Sequence, residues 1–382
     1  MRRPRVRLVA ACLLAAGCGA CGGPGGPTTH PRAAGAHRVG DLDHPRAAHT
    51  ATPLADGRIL VAGGFGADEG EVWASTELFD RAAGRFRPGP AMVAARQSHT
   101  ATRLRDGRVL IAGGYGADGR TLASAELFDP ATRRFAATGR MTAPRAGQAA
   151  VLLRDGTVLV VGGEASLSHT LASAEIYDPA TGRFVATGAM SGARTSHTTT
   201  VLPDGRVLVA GGHRGRRASL RVLRGAELYD PAAGAFTATG ALRARRHKHD
   251  AVTLADGRVL VIAGADERDD RGAYDTAEIY DPRRGTFAPT GALAQARYKL
   301  QGTSIALMGD AALVTAGAAR PELFHEGRAR AAGRSGRFRA LPGSFGTAHF
   351  FAAAAPVGRG ALVTGGYTPA GPATADAWLV TP

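Results

Sequence analysis

Cysteine is nearly absent from this 382-residue chain: the three present, Cys12, Cys18 and Cys21, all fall in its first 21 residues. The rest of the chain therefore has no internal disulfide, no cysteine nucleophile and no thiolate metal centre, and must hold together through its core. Lysine is reduced to Lys248 and Lys299. No nucleophile elbow, phosphate-binding loop or metal-ligand motif is present, which removes the usual sequence signs of hydrolases, nucleotide enzymes and metalloenzymes. Helix is disfavoured as well, because 53 glycines and 21 prolines punctuate the chain too often. No collagen period accompanies them, so they read as turns between many short strands, and the expected class is all-β.

What the chain does have begins with a leader. "MRRPRVR" supplies four arginines and "LVAACLLAAG" a ten-residue apolar stretch, the pattern of a signal peptide and too short to span a membrane as a helix. "LLAAGC" resembles the lipobox of bacterial lipoproteins, although Ala15 stands where leucine is usual. The resemblance implies lipidation of Cys18 after cleavage, and hence an exported protein anchored by lipid in the cell envelope. Residues 1–18 are assigned to this leader. Residues 19–36, "GACGGPGGPTTHPRAAGA", are rich in Gly and Pro and read as a flexible tether.

The formal charge is +15; with the leader's four arginines set aside, 43 basic and 32 acidic residues leave +11. In an exported protein that charge suits anionic lipid, polysaccharide or acidic peptide better than nucleic acid. The dominance of Arg over Lys, with so much Ala and Gly, also fits a bias in genome composition, so net charge alone says little about a partner.

Residues 37–382 are built on a repeat. Gly-Gly pairs or their relics fall at 63, 113, 162, 211, 264, 317 and 365, seven copies with a period near 50. In each regular copy two strand-like runs, such as "HTATRL" and "RVLIAGG", flank an Asp-Gly dipeptide that predicts a two-residue hairpin. A third run follows, "AELFDP" or "AEIYDP", and a fourth begins at Phe86, Phe135, Phe184, Phe236 and Phe287. Four short antiparallel strands repeated seven times predict a seven-bladed β-propeller. The last copy stops after its third strand, and residues 37–45 match the fourth strand of the others, so an N-terminal strand is expected to close the ring and hide its edges. Copy six is irregular between Gly317 and Phe338.

The Asp-Gly turn, the double Gly and the pattern "AEIYDPATGRF" with "TGAM" and "R..H" after it resemble kelch repeats of the bacterial type. The resemblance implies a propeller of kelch-type blades. It also brings in copper-radical oxidases similar to galactose oxidase, but these need a Cys cross-linked to a Tyr, and the body has no Cys. Tyr177, Tyr229 and Tyr280 share a repeat position with Phe79 and Phe128, which marks them as core.

Two polar positions recur. An arginine stands about seventeen residues before the double Gly in six copies, Arg46, Arg96, Arg145, Arg194, Arg246 and Arg297, with Ala348 in that register in the seventh. A glutamate stands in the third strand of the same six, Glu77, Glu126, Glu175, Glu227, Glu278 and Glu322, with Trp378 in the seventh. Joint loss from one blade predicts that each Arg pairs with the Glu of its own blade, while five donors leave each guanidinium a candidate for ligand contact as well. A histidine follows three residues later as His49, His99, His197 and His249, with Gln148, Leu300 and Phe351 in the other copies. A metal would need three such groups at one centre. A seven-fold ring spaces them too widely, so hydrogen bonding within the inner strands or ligand contact at the channel is expected, with no metal and no cofactor.

In this topology the first-to-second and third-to-fourth turns share one face and are nearly uniform. The other face carries divergent loops and the Arg and His positions, the pattern of a binding surface on a rigid frame. The blade-four loop holds Arg214, Arg216 and Arg217, and the blade-five loop "ADERDDRGAYD" is acidic; the two either neutralise one another or serve a partner. The sequence thus points to a monomeric binding or scaffolding module for a protein, peptide or anionic polysaccharide of the envelope, with a sugar epimerase or lyase at the channel mouth as the alternative.

Overall fold

The computed structural model describes residues 33–68, 70–300, 304–326 and 336–382. Seven four-stranded antiparallel sheets follow one another along the chain. Blade one is Thr50–Pro53, Ile59–Ala62, Thr76–Asp80 and Arg85–Pro88, and blades two to six repeat that order. The chain is a seven-bladed β-propeller. Blade seven takes three strands from the C-terminal end and its fourth, β1 (Gly35–Asp41), from the N-terminal side, paired antiparallel to Asp376–Thr381. The closing strand begins two residues ahead of the boundary expected at 37.

The second strand of each blade supplies the core. Ile59–Ala62, Val109–Ala112, Val158–Val161, Val207–Ala210 and Val259–Ile262 are buried along their whole length, packed between blades on both faces. Aromatic pairs lie across the third and fourth strands, for example Tyr177 and Phe184 with ring centroids 4.8 Å apart. The tyrosine hydroxyls tie neighbouring blades: Tyr177, Tyr229 and Tyr280 each meet a threonine of the preceding blade, Thr138, Thr187 and Thr239, at 2.8 Å.

The double glycine is a consequence of blade spacing. Gly63 has φ +65, and a Cβ there would lie 2.4 Å from the carbonyl oxygen of Arg96 in the next blade. Gly64, at φ +100, donates its N–H to that same oxygen at 2.9 Å. A side chain at Gly63 would push two blades apart, and one at Gly64 would strike Ala47 O and His49 of its own blade.

Two readings of the sequence need correction. The Asp-Gly dipeptides of blades one to five are not two-residue turns. In blade one, Leu54 N–H donates to Arg58 O and Gly57 N–H to Leu54 O, and Asp56 Oδ1 accepts the Arg58 N–H, which makes a longer turn with Gly57 at φ +85. Blade seven does use a two-residue turn, Gly358-Arg359, and its first hairpin is one residue shorter than that of blade one. The register upstream therefore slips by one. His349, not Ala348, occupies the arginine position, with Nδ1 3.1 Å from Gly365 O and its ring against Trp378 at 4.6 Å. Ala352, not Phe351, falls in the histidine register, because Phe350 pairs with Tyr367 as Ala47 pairs with Phe65.

Candidate functional site

All six arginines pair with the glutamate of their own blade. The Nη2 to Oε1 distances are 2.9 Å for Arg46 and Glu77, 2.6 Å for Arg96 and Glu126, and 2.8 Å for Arg145 and Glu175. They are 2.7 Å for Arg194 and Glu227, 2.8 Å for Arg246 and Glu278, and 2.6 Å for Arg297 and Glu322. Each guanidinium also donates to a backbone carbonyl at the double-glycine position, such as Gly63 O from Arg46 and Gly113 O from Arg96. The second glutamate oxygen accepts a backbone N–H from the interblade linker, for instance Thr142 onto Glu175 and Ser191 onto Glu227. Each pair thus pins second strand, third strand and linker together. The arginines are buried and none lines the central cavity, so this geometry assigns them to the frame.

The four histidines do line the cavity, but they are turned along its wall. The Nε2 atoms of His49, His99 and His249 meet hydroxyls of the preceding blade, Thr364 at 2.8 Å, Thr50 at 3.1 Å and Thr198 at 3.2 Å. Burial lowers the pKa of all four, to about 3 for His99 and His197, so they are neutral imidazoles at pH 7. Gln148 takes the same position in blade three and donates to Ala112 O at 2.8 Å.

The cavity measures about 670 Å³ and runs along the inner strands of blades one to five. Its mouth lies on the face of the divergent loops, among Tyr115, Glu164, His213, Arg216, Arg217, Lys248 and Asp269. The rim is a closed circuit of backbone hydrogen bonds. Ala48, Ser98, Gly147, Ser196 and Lys248 each donate N–H to the corresponding carbonyl of the preceding blade; Leu300 N–H reaches Lys248 O, and Phe351 N–H reaches Lys299 O. The circuit holds Ala48, Ser98, Ser196, Lys248, Lys299 and Phe351 at φ 51 to 56, the left-handed region that non-glycine residues seldom enter. The rim is lopsided: blades one to four present Ala, Ser, Gly and Ser, and blades five to seven present Lys, Lys and Phe. Lys299 Nζ lies 4.8 to 5.2 Å from the ring centroids of Tyr298, Phe350 and Tyr367.

A polar network crosses the mouth. Tyr115 Oη donates to Glu164 Oε2 at 2.6 Å, and Arg216 bonds both of them. His213 Nε2 lies 3.8 Å from Glu164 Oε1, His213 and His247 meet through Nδ1 at 3.0 Å, and Lys248 donates to Asp269 at 2.8 Å. Burial pushes His213 down to about 3 and His247 down to about 4. Deeper in, Asp250 is buried on the wall and its carboxyl is pushed up to about 7 by that burial.

Of the loop candidates, Arg216 is committed to Glu164 of blade three rather than to the acidic loop of blade five. Arg217 lines the mouth with no ion pair or side-chain hydrogen bond among the described residues, while Arg214 is exposed and outside the lining. The blade-four and blade-five loops touch through Val222 N–H and Glu267 at 3.2 Å, and the charges of the acidic loop are met mainly by Arg245, Lys248 and its own Arg268. Among the described residues no group of three or more His, Cys, Asp or Glu is placed to hold a metal ion. Cys18 lies outside the described residues.

No family model matches the chain, and no curated protein matches it. Among solved structures, one titled "Structure of YjhT" aligns with a TM-score of 0.60 over 90% of this chain and 96% of that chain, at 12% identity. What the two share is the propeller fold. In all, 871 solved chains match, and likeness that broad concerns the frame and leaves the ligand to this chain's own residues.

Sequence reasoning passed over Tyr115, Glu164, His213 and Lys299. A signal for them exists. They stand at the position just after the double Gly, or two residues after the repeat arginine, where copies otherwise in register carry unrelated side chains.

Proposed function

We propose that the chain is an exported, monomeric, kelch-type binding module, lipid-anchored through Cys18, whose loop-face cavity takes an anionic protein, peptide or polysaccharide ligand of the cell envelope. A propeller of this kind suits binding or scaffolding in general. The observation that favours an anion is the division of labour among cations: all six repeat arginines are neutralised inside the blades, whereas Arg217 stands at the mouth without a counter-charge among the described residues, beside Arg216 and Lys248. β1 starts at the end of the blade that carries the uniform turns, opposite the cavity mouth.

The test uses polygalacturonate and poly-glutamate as probes. Arg214→Ala, Arg216→Ala and Arg217→Ala together should weaken binding about tenfold at low ionic strength, with the difference shrinking as salt is raised. Binding indifferent to both salt and the three arginines would contradict the reading. The anchor is tested separately: Cys18→Ser should move the protein from the membrane pellet to the soluble fraction and remove the acyl mass from its N-terminus, and an unchanged pellet would oppose it.

The alternative of a sugar epimerase or lyase is favoured by one observation, the titratable set Tyr115, Glu164 and His213 on the cavity wall. Turnover of sugar substrates by the purified protein, lost in Glu164→Gln, would establish it.

A further inference from the structure

We infer that the cavity holds a subsite for a ligand hydroxyl on the inner wall between blades three and four, with His197 Nε2 as the group that receives it. The repeat supplies its own comparison. Three of the four repeat histidines have Nε2 on a threonine hydroxyl of the preceding blade. In blades one and four that hydroxyl comes from the first residue of the inner strand, Thr50 and Thr198. In blade seven it comes from Thr364, the cross-strand partner of Ala353. Blade three, which precedes His197, has Ala149 at the first position and Val161 across from it. Both sources of the hydroxyl are apolar there, and both ring nitrogens of His197 are buried without a partner among the described residues.

His197 is only 7% exposed, so the missing contact is not replaced by open solvent. Ala149 and His197 both line the cavity, while the His197 nitrogens themselves are covered, so the ring must turn toward the cavity when a ligand binds. Gln148, the next residue along, also lines the cavity; its Nε2 is used on Ala112 O and its Oε1 is left without a partner among the described residues. The seam between blades three and four therefore offers two hydrogen-bonding atoms that the fold does not consume, Gln148 Oε1 and His197 Nε2, where the histidines of blades one, two and five each bond a threonine of the preceding blade. The ligand class that fits is a polyhydroxylated molecule, a sugar or polyol, in a cavity large enough for a disaccharide. Taken with Arg217 at the mouth, an acidic sugar satisfies both ends, and this second step rests on the anionic reading above.

The experiment is calorimetric titration of the full chain with three probes: digalacturonate, which carries charge and hydroxyls; galactobiose, which carries hydroxyls alone; and the dipeptide Glu-Glu, which carries charge without hydroxyls. Ala149→Thr supplies the missing hydroxyl from within. It should weaken both sugars about tenfold or more, leave Glu-Glu unchanged and hold or raise the melting temperature, because His197 gains the partner its counterparts have. Ala149→Ser repeats the test with a smaller side chain should threonine lower the melting temperature. Sugar binding that neither variant alters overturns the subsite, as does failure of both sugars to bind. Galactobiose bound and sensitive to Ala149→Thr, with Glu-Glu unbound, would uphold the subsite while rejecting the anionic reading.

Discussion

Glu126→Gln is expected to destabilise the propeller by about 3–5 kcal/mol, read as a lower denaturant midpoint at pH 7. Arg96 is fully buried, and its Nη2 lies 2.6 Å from Glu126 Oε1. The glutamate holds more than the arginine, since it also accepts the backbone N–H groups of Val93 and Ala94. Glutamine keeps the shape and one acceptor but removes the charge that compensates a guanidinium taken out of water. Removing a single partner leaves the other stranded, which is why the loss exceeds the net worth of the pair. Blade seven shows what the frame accepts when both charges go together: the His349 ring packs edge-on against Trp378, and its Nδ1 lies within hydrogen-bond reach of Gly365 O, at the double glycine whose carbonyl the arginines serve in other blades. A shift in stability below about 1 kcal/mol for Glu126→Gln would remove the pairs from the structural account.

Acid should unfold this protein well before its carboxylates are protonated. Seven buried imidazoles, His49, His99, His197, His249, His213, His247 and His349, have folded-state pKa values below the usual 6.5, chiefly because burial disfavours the charged ring. Between the folded and unfolded values the unfolded chain binds more protons, so stability is full above about pH 6.5 and falls as pH drops toward 3 to 4. At about 1.4 kcal/mol per pH unit, a histidine held at about 3 withdraws about 3 kcal/mol by pH 4. Three carboxyls raised by burial work in the opposite sense: Asp250, held protonated up to about 7, and Glu77 and Glu326 favour the folded state at low pH and cost stability as pH rises. Three such groups do not balance seven. The denaturant midpoint should therefore decline steeply between pH 7 and 4.5. His99→Gln, which copies the uncharged amide that blade three already carries as Gln148, should flatten the decline. A midpoint constant over that range would contradict the neutral, buried assignment.

The fold was legible because the repeat is redundant. Seven near-copies set the blade number, the buried second strand and the N-terminal closure, and errors in any one copy were outvoted by the rest. The same redundancy made the arginine-glutamate pairing readable from blade seven, where Trp378 replaces the acid. Register within blade seven was not readable, because Gly358-Arg359 shortens a hairpin by one residue and shifts everything counted back from the double Gly. The turn geometry at Asp56-Gly57 is not decided by sequence alone, since the dipeptide suits two turn types, and the Asp56 bond to Arg58 N–H selects the longer one. The site was less legible for a physical reason. Side chains repeated from blade to blade, such as Arg96, serve the frame, while the mouth is made of residues that differ from copy to copy. Glu164, Arg216 and Tyr115 come from three separate blades, and nothing local in the chain announces that they meet.

Repeated charges build the frame, and under the proposed function unrepeated ones at the mouth meet the ligand. One paired measurement tests that division most directly: affinity for digalacturonate and melting temperature, determined side by side for Glu126→Gln and for Arg217→Ala. Glu126→Gln should lower the melting temperature and keep its affinity when assayed well below that temperature. Arg217→Ala should lose affinity about threefold and melt unchanged. Loss of affinity in Glu126→Gln with Arg217→Ala unaffected would contradict it.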